Sequence, residues 1–479
     1  MQSTSHAFKD NAHEALGNRH LQSALDKMRA GFPQRRLDAI GKLPEFEDLR
    51  EQGREIKNHV LENLDWYLER YERNVIAAGG HVHWARTPEE MRRIVLGLCR
   101  KLGAKTVTKG KTMIAEEVGL NDFLEAEGVT PIETDLGEYI IQLRHEPPSH
   151  IIAPAIHLTK GQVEKTFREV HTNLPPERNL EEPRSLVAEA RTMLREKFLK
   201  ADVGITGANF LIAETGSSVI VTNEGNGDLT QLLPRAHIVL ASLEKIVPTL
   251  EDAAALLRLL ARSATGQDMS VYTTVSTGPR RAADPDGPGE YHVVLLDNGR
   301  SGMLGSEFQE MLRCIRCGAC MNHCPVYGAI GGHAYGWVYP GPMGAVLTPS
   351  LIGIENARHL PNASTFCGKC ESVCPMKIPL PRMMRHYRER EWQRRLSPPA
   401  ARFGLQLWAF LALRPPLYHF LYAIAAQVLG LLGKRQGSFY NLPLAGAWTA
   451  TRDMPAPQGR SFQELWHRGE RSRASAGRK

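Results

Sequence analysis

Long apolar segments are scarce in this chain of 479 residues. Met1 to Gly31 is polar, carries both charge signs and has no apolar centre, which argues against a Sec-type leader, and Arg35-Arg36 has no apolar run behind it, which argues against a twin-arginine signal. Pro415 to Gly433 is free of formal charge, but Pro415, Pro416, His419 and Gln427 interrupt it. There Leu417, Phe420, Leu421, Ile424, Val428 and Leu431 share one helical stripe, so an amphipathic helix against a partner or a membrane surface is expected rather than a span. The excess of one charge sign over the other is also small. A net charge of +7 suits acidic partners or a membrane surface and makes no case for nucleic acid. Nucleotide-binding glycines are missing too. Gly225-x-Gly227 has Thr230 where the third glycine of a dinucleotide fingerprint belongs, and no flavin or nicotinamide motif is visible.

Cysteine is rare but concentrated. Seven of the eight cysteines fall in two motifs, and thiols two and three residues apart in a chain without a leader read as metal ligands in a reducing, cytoplasmic compartment. Cys314-Ile-Arg-Cys317-Gly-Ala-Cys320-Met-Asn-His-Cys324-Pro325 is the C-x2-C-x2-C-x3-C-P pattern of bacterial iron–sulfur proteins. Small residues at 318 and 319 let the backbone approach the sulfides, and the fourth cysteine of such a run ligates the other cluster. The second motif, Ser364-Thr-Phe-Cys367-Gly-Lys-Cys370-Glu-Ser-Val-Cys374-Pro375, keeps the register with serine in place of the first cysteine. Exchanging fourth ligands gives Cys314, Cys317, Cys320 and Cys374 to one [4Fe-4S] cluster and Cys324, Cys367 and Cys370 to a second. The incomplete set leaves the fourth iron to Ser364, to water or to an external ligand, or leaves a three-iron cluster. Structural zinc also uses C-x2-C pairs, but seldom three cysteines at two-residue gaps followed twice by C-P. Cys99, alone in a helical segment, reads as a small buried hydrophobe.

Along the chain, residues 1–75 are helical and charged, with one long helix expected from Glu47 to Glu72, and read as a docking arm. Residues 76–300 alternate helices and strands, the signature of an α/β domain with a largely parallel sheet. Thr87, Pro88 and Glu90 mark a helix start, a helix is expected from Met113 to Glu127, and Tyr139 to Leu143 reads as a strand. Residues 301–396 hold the cysteine motifs with helical flanks, and the separation of Cys324 from Cys367 suits a helical two-cluster module rather than a compact ferredoxin. Residues 397–479 form an apolar helical region with a polar tail. In the α/β domain, Ala213 to Ser218 and Thr222 to Asp228 are loops whose backbone N–H groups suit a phosphate or carboxylate, and they explain themselves equally well as turns. Glu214 and Glu224 are the candidate catalytic residues there. His81, His83, His150 and His157 have no metal-binding spacing.

Further residues give this pattern a family. Thr134 to Leu143, Pro148 to Ile152, Pro154 to His157, the 213–228 loops, both cysteine motifs and Trp448-Thr-Ala-Thr-Arg-Asp453 together resemble the lactate utilization protein B family over nearly the whole chain, including its seven cluster cysteines. The resemblance implies an α/β domain of lactate-utilization type, related to the sugar-phosphate isomerase (NagB/RpiA) and CoA-transferase-like folds, then a helical two-cluster ferredoxin module and an α-helical C-terminal region. It implies a non-catalytic electron-transfer subunit of a complex that oxidises L-lactate to pyruvate, with a second cysteine-rich iron–sulfur protein among its partners. The polar N-terminus and clustered thiols lead us to expect cytoplasmic placement, and the apolar 415–433 stripe a peripheral contact at the inner face of the membrane. Two other functions stay open: electron transfer for another 2-hydroxy acid, and an isomerase-like or transferase-like enzyme whose clusters are structural.

Overall fold

The computed structural model describes residues 3–433, 435–442, 446–449 and 452–467. The chain forms two compact units, 1–394 and 395–479.

The first unit is organised on a six-stranded, wholly parallel sheet. Its strands are β1 (His81–Ala85), β2 (Thr106–Lys109), β3 (Thr130–Glu133), β4 (Val203–Gly207), β7 (Ala236–Ser242) and β10 (Glu290–Leu296), in the order β1-β10-β7-β4-β2-β3. Central β4 and β7 are buried at every residue, as strands covered on both faces must be. The period-two alternation of side chains sorts them between two cores. Ile238, Leu240, Val294 and Leu296 pack with Met91, Val95 and Leu124 from helices Pro88–Lys101 and Leu120–Ala126. Val239, Ala241, Val293 and Leu295 pack with Tyr67, Leu68 and Tyr71 of helix Leu64–Ala77. Cys99 lies fully buried in the first core, as expected of a small hydrophobe. A second, mixed sheet, ordered β8-β5-β6-β9, comprises β5 (Phe210–Ile212), β6 (Ser217–Thr222), β8 (Ile246–Val247) and β9 (Tyr272–Ser276).

Three local expectations need correction. The expected helix from Glu47 to Glu72 is two helices, Phe46–Glu62 and Leu64–Ala77, because Asn63 leaves helical geometry at φ −130°, ψ 35°. The segment from Met113 to Glu127 likewise breaks at Gly119, whose φ of 63° ends one helix and starts the next. Tyr139 to Leu143 is the end of helix Leu136–Leu143 rather than a strand. Its Ile140-Ile141 pair favours strand by propensity, but the Asp135 side chain accepts from the N–H groups of Gly137 and Glu138 and starts the helix upstream. The start at Thr87 and Pro88 forms as expected, with Thr87 accepting from the Glu90 N–H; Glu90 reaches back one residue further, to the Arg86 N–H.

The N-terminal helices, expected as a docking arm, pack inside the first unit. Gly53 sits so close to helix Leu250–Ala264 that a Cβ there would lie 2.8 Å from a Leu259 methyl. Arg36 and Arg50 reach the cysteine region, where they donate to the carbonyls of Val373 and Cys374. In the second unit, helices Pro399–Ala412 and Pro415–Gly433 expose Phe403, Trp408, Phe420 and Leu431. Helix Pro415–Gly433 has the length and apolar composition to cross a membrane.

Candidate iron–sulfur centre and adjoining cavity

The seven motif cysteines fall into two groups, four and three. Cys314, Cys317, Cys320 and Cys374 line one small pocket, otherwise walled by apolar residues such as Ile151, Met311, Met343 and Met376. Burial, then the charges of Cys374 and Cys314, push the Cys317 thiol up; burial and the same neighbours do so for Cys320. Cys324 and Cys367 act on Cys370, which is pushed up to about 12 by burial and then by those two, and Cys370 also adds to the rise of Cys320. Neutral thiols crowded this way repel one another once ionised, so a bound cationic iron–sulfur core is what makes such sets stable as thiolates. Among the described residues no three His, Cys, Asp or Glu side chains converge tightly enough to hold a single metal ion.

The backbone repeats the sequence register. Arg316 and Gly318 both have positive φ, 60° and 73°, and the corresponding Phe366 and Gly368 have 54° and 76°. Successive turns of this kind direct N–H groups toward a common point, the concavity used for iron–sulfur sulfides. Ser364 stands where Cys314 stands in the first motif, and its Oγ accepts from the Phe366 N–H at 3.1 Å. The three-cysteine set is the more open. Cys367 is exposed, and its thiol is lowered by the Lys369 N–H and then by Thr365. His150 is buried beside the first motif: Nε2 donates to Asn322 Oδ1 while Nδ1 accepts from the Ile152 and Ala153 N–H groups, and burial lowers its pKa to about 4. It is a neutral structural histidine, consistent with the absence of metal spacing.

Beside the four-cysteine pocket, with Ile151 lining both, lies a cavity of about 520 Å³. It opens at the carboxyl ends of the parallel strands, where α/β folds place their ligand sites. Its walls include Lys111, Asp135, Asn226, Lys245 and Arg316. The two candidate glutamates part company here. Glu224 lines the cavity, and burial, then Asp135, raises its carboxyl above the usual range. Glu214 does not line it; it sits exposed on the turn after β5, where its carbonyl accepts from Asn74 Nδ2. Lys245, Lys111 and Arg316 were not legible as site residues, although Arg316 lies inside the first cysteine motif.

Buried ion pairs tie the cavity wall to the cysteine region. Arg300 forks onto Glu117 at 2.9 and 2.6 Å and reaches Glu244 at 3.2 Å. Glu244 also pairs with Arg316 at 2.9 Å, and Tyr339 donates to Glu117 at 2.6 Å. Burial alone would raise the Glu244 carboxyl, yet Arg300 and Arg316 hold it at about 2.

This fold and site define an iron–sulfur protein in which a LUD domain, matched over residues 68–296, is followed by a 4Fe-4S dicluster domain over residues 310–378. Residues 385–471 match the C-terminal domain of lactate utilisation protein B; Ala450 and Thr451 of the terminal motif lie outside the described residues. The chain is 42% identical to lactate utilization protein B of Bacillus licheniformis, covering 95% of each protein. It is 42% identical to that of Bacillus subtilis, covering 96% and 95%, and 43% identical to that of a Geobacillus species, covering 96% of each. A crystal structure of a duf162 family protein from Deinococcus radiodurans is 15% identical over 49% of this chain and 98% of that one, with a TM-score of 0.26. The chain belongs to the lactate utilization protein B family.

Proposed function

We propose that this chain is the iron–sulfur electron-transfer subunit of a complex that oxidises L-lactate to pyruvate. The observation that carries the proposal is that four of the seven thiols, two buried and two half-buried, line one pocket, while the other three include the exposed Cys367. Bound there, two [4Fe-4S]-type clusters supply one-electron redox chemistry. Cys314, Cys317, Cys320 and Cys374 are proposed to hold the first, and Cys324, Cys367 and Cys370 the second, with Ser364 beside its incomplete corner. Arg36 and Arg50 brace the carbonyls of Val373 and Cys374, which fixes the ligand that crosses from the second motif to the first. The turns at 316–318 and 366–368 present N–H donors to the sulfides.

Lactate gives up two electrons, and this chain has no flavin or nicotinamide motif, so partner subunits, including a second cysteine-rich iron–sulfur protein, complete the proposed complex. The proposed location is cytoplasmic, with the exposed apolar residues of helix Pro415–Gly433 as a peripheral contact with the inner face of the membrane. The α/β domain is proposed to share the sugar-phosphate isomerase and CoA-transferase-like fold, on the support of its parallel sheet and the cavity at the strand ends.

Anaerobically purified protein is expected to carry about seven to eight irons per chain, from four and three thiolates. Cys314→Ser is expected to lower this by the content of one cluster and to end reduction of the chain by lactate in the presence of the partner proteins. Zinc in place of iron, or a single stable cluster, would overturn the proposal.

A further inference from the structure

Lys245 is buried, and Glu244 and Cys314 are the neighbouring groups whose charge favours its ammonium, while Arg316 and Arg300 oppose it. Only 8% of it is exposed, and no hydrogen bond or ion pair to its ammonium occurs among the described residues. A buried ammonium is costly unless something compensates it. The other two cations of the cavity wall are engaged, Arg316 with Glu244 and Lys111 with the Ile152 carbonyl. Asn226 lines the same cavity and is 7% exposed, and its Nδ2 also lacks a partner. An ammonium with no hydrogen bond or ion pair among the described residues and a buried amide donor with no partner thus line one cavity, as a site built for an anion would leave them.

We propose that this cavity binds a small organic carboxylate of the 2-hydroxy or 2-oxo acid class, with Lys245 and Asn226 as donors to the carboxylate. The charge of the wall selects a monoanion. Lys245 is the one cation of the described wall that no hydrogen bond or ion pair engages, and the carboxylates of Asp135 and Glu224 on the same wall repel a dianion such as phosphate. Glu224 lies on the same wall, where its carboxylate can accept a hydrogen bond from the substrate hydroxyl. Ile140, Ile220 and Leu260 supply the apolar surface for the carbon chain. The cavity exceeds a three-carbon acid in size, so water shares it with lactate, and longer acids of the class fit. Through Ile151 the site abuts the four-cysteine pocket. The choice of acid class rests on the lactate reading above; the anion site itself does not.

The test is calorimetric titration of the anaerobic, iron-loaded full chain with L-lactate, pyruvate and 2-hydroxyisocaproate, with inorganic phosphate as competitor. Saturable binding of the acids, unaffected by equimolar phosphate, is expected. Lys245→Met is expected to weaken it at least about tenfold, the worth of a charge-assisted hydrogen bond, and Lys245→Arg to retain part of it. Asn226→Ala, which removes no charge, is expected to weaken binding less and guards against misfolding of Lys245→Met. Iron content and cluster absorbance verify each variant. Absence of acid binding to fully loaded protein, displacement by phosphate, or unchanged affinity in both Lys245→Met and Asn226→Ala would overturn the proposal. A chain reduced by lactate through its partners that binds none of the acids overturns this inference and leaves the electron-transfer reading standing. One that binds them yet is never reduced overturns that reading and supports the site.

Discussion

Arg300→Met probes the network that joins the LUD domain to the cysteine region. Arg300 is 1% exposed and neutralises two carboxylates that are themselves buried, Glu117 and Glu244. Removing one side of a buried ion pair costs ~3–5 kcal/mol, because the remaining charge stays desolvated. Glu117 would retain the Tyr339 hydroxyl and the Asn298 amide, and Glu244 would retain Arg316. Those contacts place the expected loss at the lower end, ~3 kcal/mol. Adding Glu117→Met removes one stranded charge, so the double variant is expected to recover at least half of that loss. The assay is urea unfolding of iron-loaded protein without oxygen, read by tryptophan fluorescence, with iron content measured alongside. A loss below ~1 kcal/mol for Arg300→Met, or a double variant no more stable than the single, would refute the argument that buried charge compensation holds these regions together.

Ser364→Cys is expected to strengthen retention of iron at the three-cysteine site and to change its potential, since a thiolate donates more charge than an alcohol; iron analysis and EPR titration check this, and unchanged spectra would show that position 364 makes no contact with the cluster. Stability is expected to fall as pH drops from about 4.5 toward 2. Burial pushes Glu146 and Glu244 up, but His157 and Arg144 around the first and Arg300 and Arg316 around the second hold both at about 2. Depressed carboxyls contribute stability above their unfolded pKa that is lost as pH falls through the folded one, so Glu146→Gln is expected to flatten part of the decline in melting temperature.

The cysteine constellation was legible in the sequence because each ligand set is spelled out at spacings of two and three residues, and the motif itself implies that fourth ligands cross over. The strands of the parallel sheet were legible for a related reason: runs such as Ile238 to Ala241 are apolar throughout, which a doubly covered strand requires. The cavity was not. Lys111, Glu224, Lys245 and Arg316 come from four separate segments, and nothing local distinguishes a lysine that will be buried on a cavity wall from one that will be solvated. Glu214 and Glu224 looked alike as acids in glycine-rich loops, and only the path of the chain after β5 separates them. Tyr139 to Leu143 was misread because propensity was weighed without the cap at Asp135.

The central claim is that this chain conducts electrons from lactate, and one anaerobic measurement tests it directly. The oxidised, iron-loaded chain is mixed with L-lactate, alone and with catalytic amounts of its partner proteins. Bleaching of the cluster absorbance and formation of pyruvate are then followed together. The account predicts no change for the isolated chain. With partners it predicts bleaching of both clusters, with about one pyruvate per chain, because lactate yields two electrons and each cluster takes about one. Lactate oxidation by the isolated chain, or pyruvate formation by the partners with the clusters of this chain left oxidised, would contradict it.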